Sequence, residues 1–117
     1  VAAVAVLGLA LQTEPRGLDK MALAMRDAAT YVQNQPAPTV LLSTHVWFRY
    51  FYGLPFPRRF PGLVNGGRDL PDGSIMVWDR QYSNRWDYPV EDLENPANGW
   101  KKLVTFRGGR GIIFVKL

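Results

Sequence analysis

The stretch TVLLSTHVWFRYFYG, residues 39–53, decides the fold class. Its first part, residues 39–43, is a short apolar run after a proline-rich turn, and it predicts a buried strand. Residues 45–53 then carry five aromatic side chains at helical spacing, which predicts a helix capped by Thr44 and ended by Gly53. A buried strand that leads into an apolar helix is typical of an α/β layer.

The elements on either side of this stretch complete the predicted fold. Apolar residues recur every three or four positions over residues 19–34, so we predict a helix with Asp19 as its N-cap or as an acid of its first turn. Residues 74–78 predict a second buried strand, and residues 102–106 and 112–116 flank RGGRG as a hairpin. We therefore predict an α/β fold: a small mixed sheet with a central parallel pair, a C-terminal antiparallel hairpin, and helices packed on the sheet.

Composition excludes several functional classes. The chain has 117 residues, of which 47% are hydrophobic and 21% charged, as in an ordinary folded domain rather than a disordered chain. It has no cysteine, which excludes a disulfide scaffold, cysteine catalysis, zinc fingers and iron–sulfur clusters. Its single histidine excludes a multi-histidine metal site. We expect no cofactor and no metal.

The first eleven residues form an unbroken apolar run, VAAVAVLGLAL. This run is shorter than the roughly 20 residues that cross a bilayer. Three interpretations remain open: a buried core element, the end of a membrane helix, or an arm that binds a partner. Pro15 and Gly17 interrupt the chain after it. We predict an apolar lead-in and linker at residues 1–17 and one α/β domain at residues 18–117.

Charge is divided into blocks along the chain. Residues 49–68 contain four arginines and no acid, residues 69–98 are mainly acidic, and residues 99–117 are again basic. Such segregation suits a domain that presents a basic surface to an anion, although the blocks can equally face each other or solvate the surface. The candidate ligand-binding residues are the four arginines of residues 49–68, two ring side chains just before them and a strand-end acid: Arg49, Arg58, Arg59, Arg68, His45, Trp47 and Asp79.

Catalysis is a weaker hypothesis. Ser43, His45 and Asp79 include the residue types of a hydrolase triad, but neighbours in sequence seldom have triad geometry and no GxSxG motif is present. A capping or core role is the simpler interpretation of His45. Asp79 follows a strand at the sheet edge where α/β proteins bind ligands, and a structural cap is its alternative role. We predict no catalytic residue in this chain.

The order of elements resembles a known family. LDKMALAMRDAATYVQNQ leads through a proline turn into TVLLSTHVWFRYFYG, and SIMVWD, a short acidic helix, GWKKLVTF and a terminal strand follow. Over residues 18–117 this pattern resembles the soluble C-terminal domain of polytopic glycosyltransferases of the dolichyl-phosphate-mannose protein mannosyltransferase type. The resemblance lies in element order and hydrophobic pattern, without a diagnostic motif.

This resemblance implies a domain on the extracytoplasmic face of a membrane. The family's catalytic acids lie in loops between N-terminal membrane helices, so the resemblance implies a non-catalytic accessory domain here. The implied partners are the membrane portion of the same polypeptide and the acceptor or lipid-phosphate sugar donor. From the residues we add anionic lipid headgroups for the arginines of residues 49–68. The alternative function is a stand-alone module for an anionic ligand or nucleic acid, although nucleic acid is not the ligand we expect.

Overall fold

A four-stranded mixed sheet forms the centre of the molecule. The computed structural model describes residues 19–55, 63–86 and 88–117. The strands lie in the order β1-β2-β4-β3, with β1 and β2 parallel and the other pairs antiparallel. Their bounds are β1 Leu41–Ser43, β2 Ile75–Asp79, β3 Trp100–Phe106 and β4 Gly111–Lys116.

The predicted fold class is confirmed. The sheet is mixed, its parallel pair and C-terminal hairpin are those predicted, and helices pack against it. Only one strand of the parallel pair is central. β2 lies between β1 and β4, whereas β1 is an edge strand of the sheet. The parallel pair therefore lies at one side of the sheet instead of wholly at its centre.

Three α-helices within the described residues connect and cover the strands: α1 Lys20–Gln33, α2 Val46–Tyr52 and α3 Val90–Glu94. Asp19 is the N-cap of α1, as predicted, since its carboxylate accepts a hydrogen bond of 2.8 Å from the N–H of Ala22. Gly53 ends α2 with a φ of +91°, a conformation that glycine adopts without a steric cost. No helix in the described ranges is long and apolar enough to cross a bilayer.

The core has two layers because side chains alternate across the sheet. On the first face, α1 and α2 cover one set of strand residues: Leu41, Ile75, Val77, Val104, Ile113 and Val115. On the second face, residues 63–70 and α3 cover the other set: Leu42, Met76, Trp78, Trp100, Ile112 and Phe114. Phe48 of α2 is fully buried in the first layer, and Leu93 of α3 is buried in the second.

Hydrogen bonds from two tryptophans dock irregular backbone onto the second face. Trp78 Nε1 donates to the carbonyl of Tyr88 across 3.0 Å, and Trp100 Nε1 donates to the carbonyl of Gly66 across 2.8 Å. These bonds matter because backbone without a regular ladder must find other partners when it is buried. They hold the connections in place around the sheet.

Candidate functional site

The carboxyl ends of β1 and β2 meet at one edge of the sheet, and a buried polar cluster lies there. Ser43 ends β1, with Thr44 and His45 directly after it, and Asp79 ends β2. Ser83 reaches the same place from the turn after β2. All five residues are buried, and together they are the edge cluster. This edge is where open α/β sheets generally bind ligands.

Asp79 is the centre of the edge cluster. Its side chain is 0% exposed, and both carboxylate oxygens accept hydrogen bonds from the chain itself. Oδ1 accepts from the N–H of Tyr82 across 2.6 Å, and Oδ2 accepts from the hydroxyls of Thr44 at 2.9 Å and Ser83 at 3.0 Å. The Ser83 hydroxyl in turn accepts from the N–H of Asp79 across 2.9 Å. The carboxylate therefore holds the turn after β2 and joins it to the end of β1.

His45 is the N-cap of α2, where the sequence predicts Thr44. Its Nδ1 accepts from the N–H of Trp47 across 3.1 Å, so Nε2 carries the proton and donates to Gln81 Oε1 across 2.9 Å. Thr44 cannot serve as the cap because its hydroxyl points to Asp79 instead. His45 is 2% exposed, so its interpretation as a capping and core histidine is confirmed.

The edge cluster does not have the geometry of a hydrolase triad. Both ring nitrogens of His45 are engaged by Trp47 and Gln81, while the Asp79 carboxylate is bonded elsewhere. The Ser43 hydroxyl accepts from the backbone N–H of His45 at 3.4 Å instead of donating to its ring. Nucleophilic catalysis needs a nucleophile hydrogen-bonded to a base and a base oriented by a third group. These side chains instead bond to one another and to nearby backbone groups, and so connect the ends of β1 and β2.

Arg49 closes the open side of the edge strand β1. Its Nε and Nη2 donate to the carbonyl of Ser43 at 3.1 and 2.9 Å, and its Nη1 donates to the carbonyl of Pro55 at 2.8 Å. The carbonyl of Val40 accepts from the N–H of Ile75 in β2. Successive carbonyls of a strand point to opposite sides, so the carbonyl of Ser43 points away from β2 and needs another donor. Burial lowers the pKa of the Arg49 guanidinium below its ordinary value, and the nearby Tyr88 phenol opposes this effect.

The outward side of α2 is an aromatic surface. Tyr50 is 55% exposed and Val46 is 47% exposed, and the half-buried Trp47 lies beside them, with its ring 5.9 Å from that of Tyr50. These three residues are the α2 outer surface. Trp47 also stacks on Phe51 at 5.7 Å, whereas Phe48 on the inner side is fully buried. The aromatic helix therefore contributes to the core and also presents rings at the surface.

The candidate arginines do not form one described patch. Arg68 lies on the second face of the sheet, where its Nη2 donates to Asn98 Oδ1 across 3.1 Å. Asn98 is fixed in turn by a bond of 2.8 Å to the carbonyl of Asp92. Arg68 is thus separated from α2, which covers the first face. Arg58 and Arg59 lie outside the described residues.

An apolar pocket of about 390 Å³ opens beside β1 on the second face. Its lining comes from β1 and the residue before it, and from residues 63–70 on the other side: Val40, Leu42, Leu63, Val64, Gly67, Asp69 and Leu70. Sequence reasoning did not predict this pocket. Its two sides are more than twenty residues apart in the chain, so no local pattern marks it.

Sequence reasoning also missed Ser83 and Gln81 as partners of the edge cluster. The Asp79-x-x-x-Ser83 spacing directly after a buried strand is the signal that could have indicated Ser83, since short polar side chains often bond across such turns. Gln81 carries no comparable signal, because its bond to His45 depends on how the turn places it.

No family model, no curated protein and no solved structure matches this chain. Across the described ranges there is no group of three or more histidine and acidic side chains placed to hold a metal ion. The candidate site therefore consists of the edge cluster, which is internally bonded, and the α2 outer surface, which is exposed.

Proposed function

We propose that this chain is a non-catalytic accessory domain of a membrane-bound glycosyltransferase of the dolichyl-phosphate-mannose protein mannosyltransferase type. Its role is to help engage the acceptor or the lipid-phosphate sugar donor, on the extracytoplasmic face of the membrane. The proposal rests on the resemblance in element order, and the helix, strands and hairpin that carry it all occur in the fold in that order.

The observation that carries the non-catalytic part is the bonding of the edge cluster. Asp79 and His45 are the residues best suited to acid–base chemistry, and their side chains are held by Thr44, Ser83, Gln81 and backbone groups. A general base must reach the proton that it removes from a substrate. These two buried groups instead hold the chain, so they support a binding or packing role.

The α2 outer surface is the part of the candidate site that can contact a partner. Tyr50 and Trp47 offer rings with an apolar body and a polar tip, and Val46 extends the apolar area. Aromatic side chains of this kind are favoured where one side is apolar and the other is wet. This surface suits contact with the membrane portion of the polypeptide or with a glycolipid substrate.

The test is sugar transfer by the full polypeptide that carries this domain, assayed in its membrane. A polyprenyl-phosphate sugar is the donor, and an acceptor peptide is titrated against it. The Val46→Ser/Tyr50→Ser variant should raise the KM for one substrate severalfold, because it removes exposed contacts without opening the core. Leu103→Ser, at an exposed apolar position on β3, is the matched control and should leave both constants unchanged.

Two results would overturn the proposal. One is the absence of any sugar transfer by the parent polypeptide. The other is transfer whose constants do not respond to the Val46→Ser/Tyr50→Ser change. The alternative of a stand-alone anion-binding module has less support, because Arg49 and Arg68 lie on different faces of the sheet and do not form one basic surface.

A further inference from the structure

Four arginines meet at the tip of the β3–β4 hairpin. The N–H of Arg80 donates to the carbonyl of Arg110 across 3.0 Å, and Nη1 of Arg110 donates to the carbonyl of Arg107 across 2.9 Å. Arg107 and Arg26 both pair with Asp27, at 3.1 and 3.7 Å. The hairpin-tip patch is defined as Arg26, Arg80, Arg107 and Arg110. The formal charges of these four arginines and Asp27 sum to +3.

The hairpin-tip patch is accessible. Arg80 and Arg107 are exposed, and Arg26 and Arg110 are partly so. The turn itself projects outward, since a side chain placed at Gly109 would meet no atom within 4 Å. The patch therefore combines accessible cations with an uncrowded turn at Gly109.

The chain enters the domain close to this patch. The Cβ of Ala24 lies 3.9 Å from the place that a Cβ would take at Gly111, the first residue of β4. The α-helix rises about 1.5 Å per residue, so Asp19 lies roughly 7.5 Å along the axis from Ala24. Asp27, which pairs with Arg107, lies roughly 12 Å along the axis from Asp19, the residue at which residues 1–18 and their apolar run join the domain.

We propose that the hairpin-tip patch binds the phosphates of an anionic phospholipid bilayer. This inference rests on the membrane association in the proposed function, but it uses a different surface from α2. Two features select a bilayer as the occupant: the net positive charge of the tip, and its position roughly 12 Å along α1 from the residue where an apolar segment joins the domain. Arginines close to an anionic membrane surface are attracted to it over about a Debye length.

The experiment is co-sedimentation of the full chain with lipid vesicles. The probes are phosphatidylcholine vesicles with and without phosphatidylserine. We expect binding to rise with phosphatidylserine and to fall with salt. The Arg80→Gln/Arg110→Gln variant should weaken binding to the anionic vesicles roughly tenfold or more, since each arginine near such a surface contributes about fivefold to the affinity.

The matched control is Lys101→Gln/Lys102→Gln. These two lysines are exposed on β3, and their replacement removes the same net charge away from the hairpin tip. The control should weaken vesicle binding by less than threefold. Circular dichroism melting of both variants confirms that they are folded, so a loss of binding reports on the surface.

Several outcomes would overturn this inference. Equal losses in the two variants would show attraction to net charge alone. Displacement by inorganic phosphate at matched phosphate concentration would identify a soluble anion as the ligand, and tighter binding to single-stranded RNA than to vesicles would identify nucleic acid. Neither variant changes the α2 outer surface, so vesicle binding can fail while the sugar-transfer test succeeds, and the reverse.

Discussion

Thr44 donates its hydroxyl hydrogen to Oδ2 of Asp79 across 2.9 Å, and this buried bond joins the ends of the two parallel strands. Thr44 follows β1 and Asp79 ends β2, so the contact spans 35 positions of sequence. A hydrogen bond to a carboxylate is generally stronger than a hydrogen bond between two neutral groups. Asp79, which is one of the residues best suited to acid–base chemistry, thereby stabilises the edge of the sheet.

The first prediction concerns Asp79→Asn. An amide has one oxygen, and its NH₂ group cannot accept from the hydroxyls of Thr44 or Ser83, so at least one buried donor loses its partner. We expect a loss of about 2–3 kcal/mol in the free energy of unfolding, measured by urea titration. Asp72→Asn, in the exposed turn before β2, should change it by less than about 0.5 kcal/mol. Equal effects of the two substitutions would contradict the account of the edge cluster.

The second prediction separates the capping role of His45 from its packing. His45→Ala removes both the cap of α2 and a buried ring, whereas His45→Asn keeps an acceptor for the N–H of Trp47. We expect His45→Asn to be more stable than His45→Ala by about 1 kcal/mol, because asparagine is a favourable N-cap. Thermal and urea unfolding of the two variants measure the difference. Identical stabilities would mean that the cap contributes nothing.

The third prediction concerns the closure of the β1 edge by Arg49. Arg49→Lys keeps the charge but cannot reproduce a planar group that donates to the carbonyls of Ser43 and Pro55 together. We expect a loss of about 1 kcal/mol in the free energy of unfolding. Arg80→Lys, whose side chain is exposed, is the conservative control. If Arg49→Lys lowered the free energy of unfolding no more than this control, the contacts of Arg49 with the carbonyls of Ser43 and Pro55 would have no stabilising role.

The fourth prediction compares two glycines with a positive φ. Gly66 and Gly109 have φ values of +65° and +87°, so alanine strains the backbone at both. At Gly66 the new Cβ would also collide with the side chain of Asn98, whereas at Gly109 it would meet nothing within 4 Å. Gly66→Ala should therefore cost about 1–3 kcal/mol more than Gly109→Ala in urea unfolding. A difference near zero would show that Asn98 moves aside freely.

The regular elements were predictable because their side-chain periodicity is local. The apolar spacing of residues 19–34 and the acid at Asp19 correctly predicted α1 and its cap. The runs at residues 74–78 and 112–116 correctly predicted β2 and β4, because strands buried on both faces are apolar without interruption. The position of β1 at an edge was not predictable, since it depends on whether the hairpin pairs with β1 or with β2.

The candidate site was less predictable because it depends on contacts between distant segments. Sequence adjacency placed Thr44 at the cap of α2, but the direction in which β1 ends turns its hydroxyl to Asp79 and leaves the cap to His45. Arg49 and Arg68 share a basic block in the sequence, yet the fold places them on different faces of the sheet. A run of like charge does not specify one surface.

Sequencing the gene upstream of Val1 shows whether this chain follows the membrane helices of a glycosyltransferase, as we propose. A hydropathy scan of that reading frame shows whether membrane spans precede the domain. We expect eight or more stretches of about 20 apolar residues in the same polypeptide. A start codon or a secretory signal sequence directly before Val1 would contradict it, and the ligand of the α2 outer surface would then have to be sought for a free-standing domain.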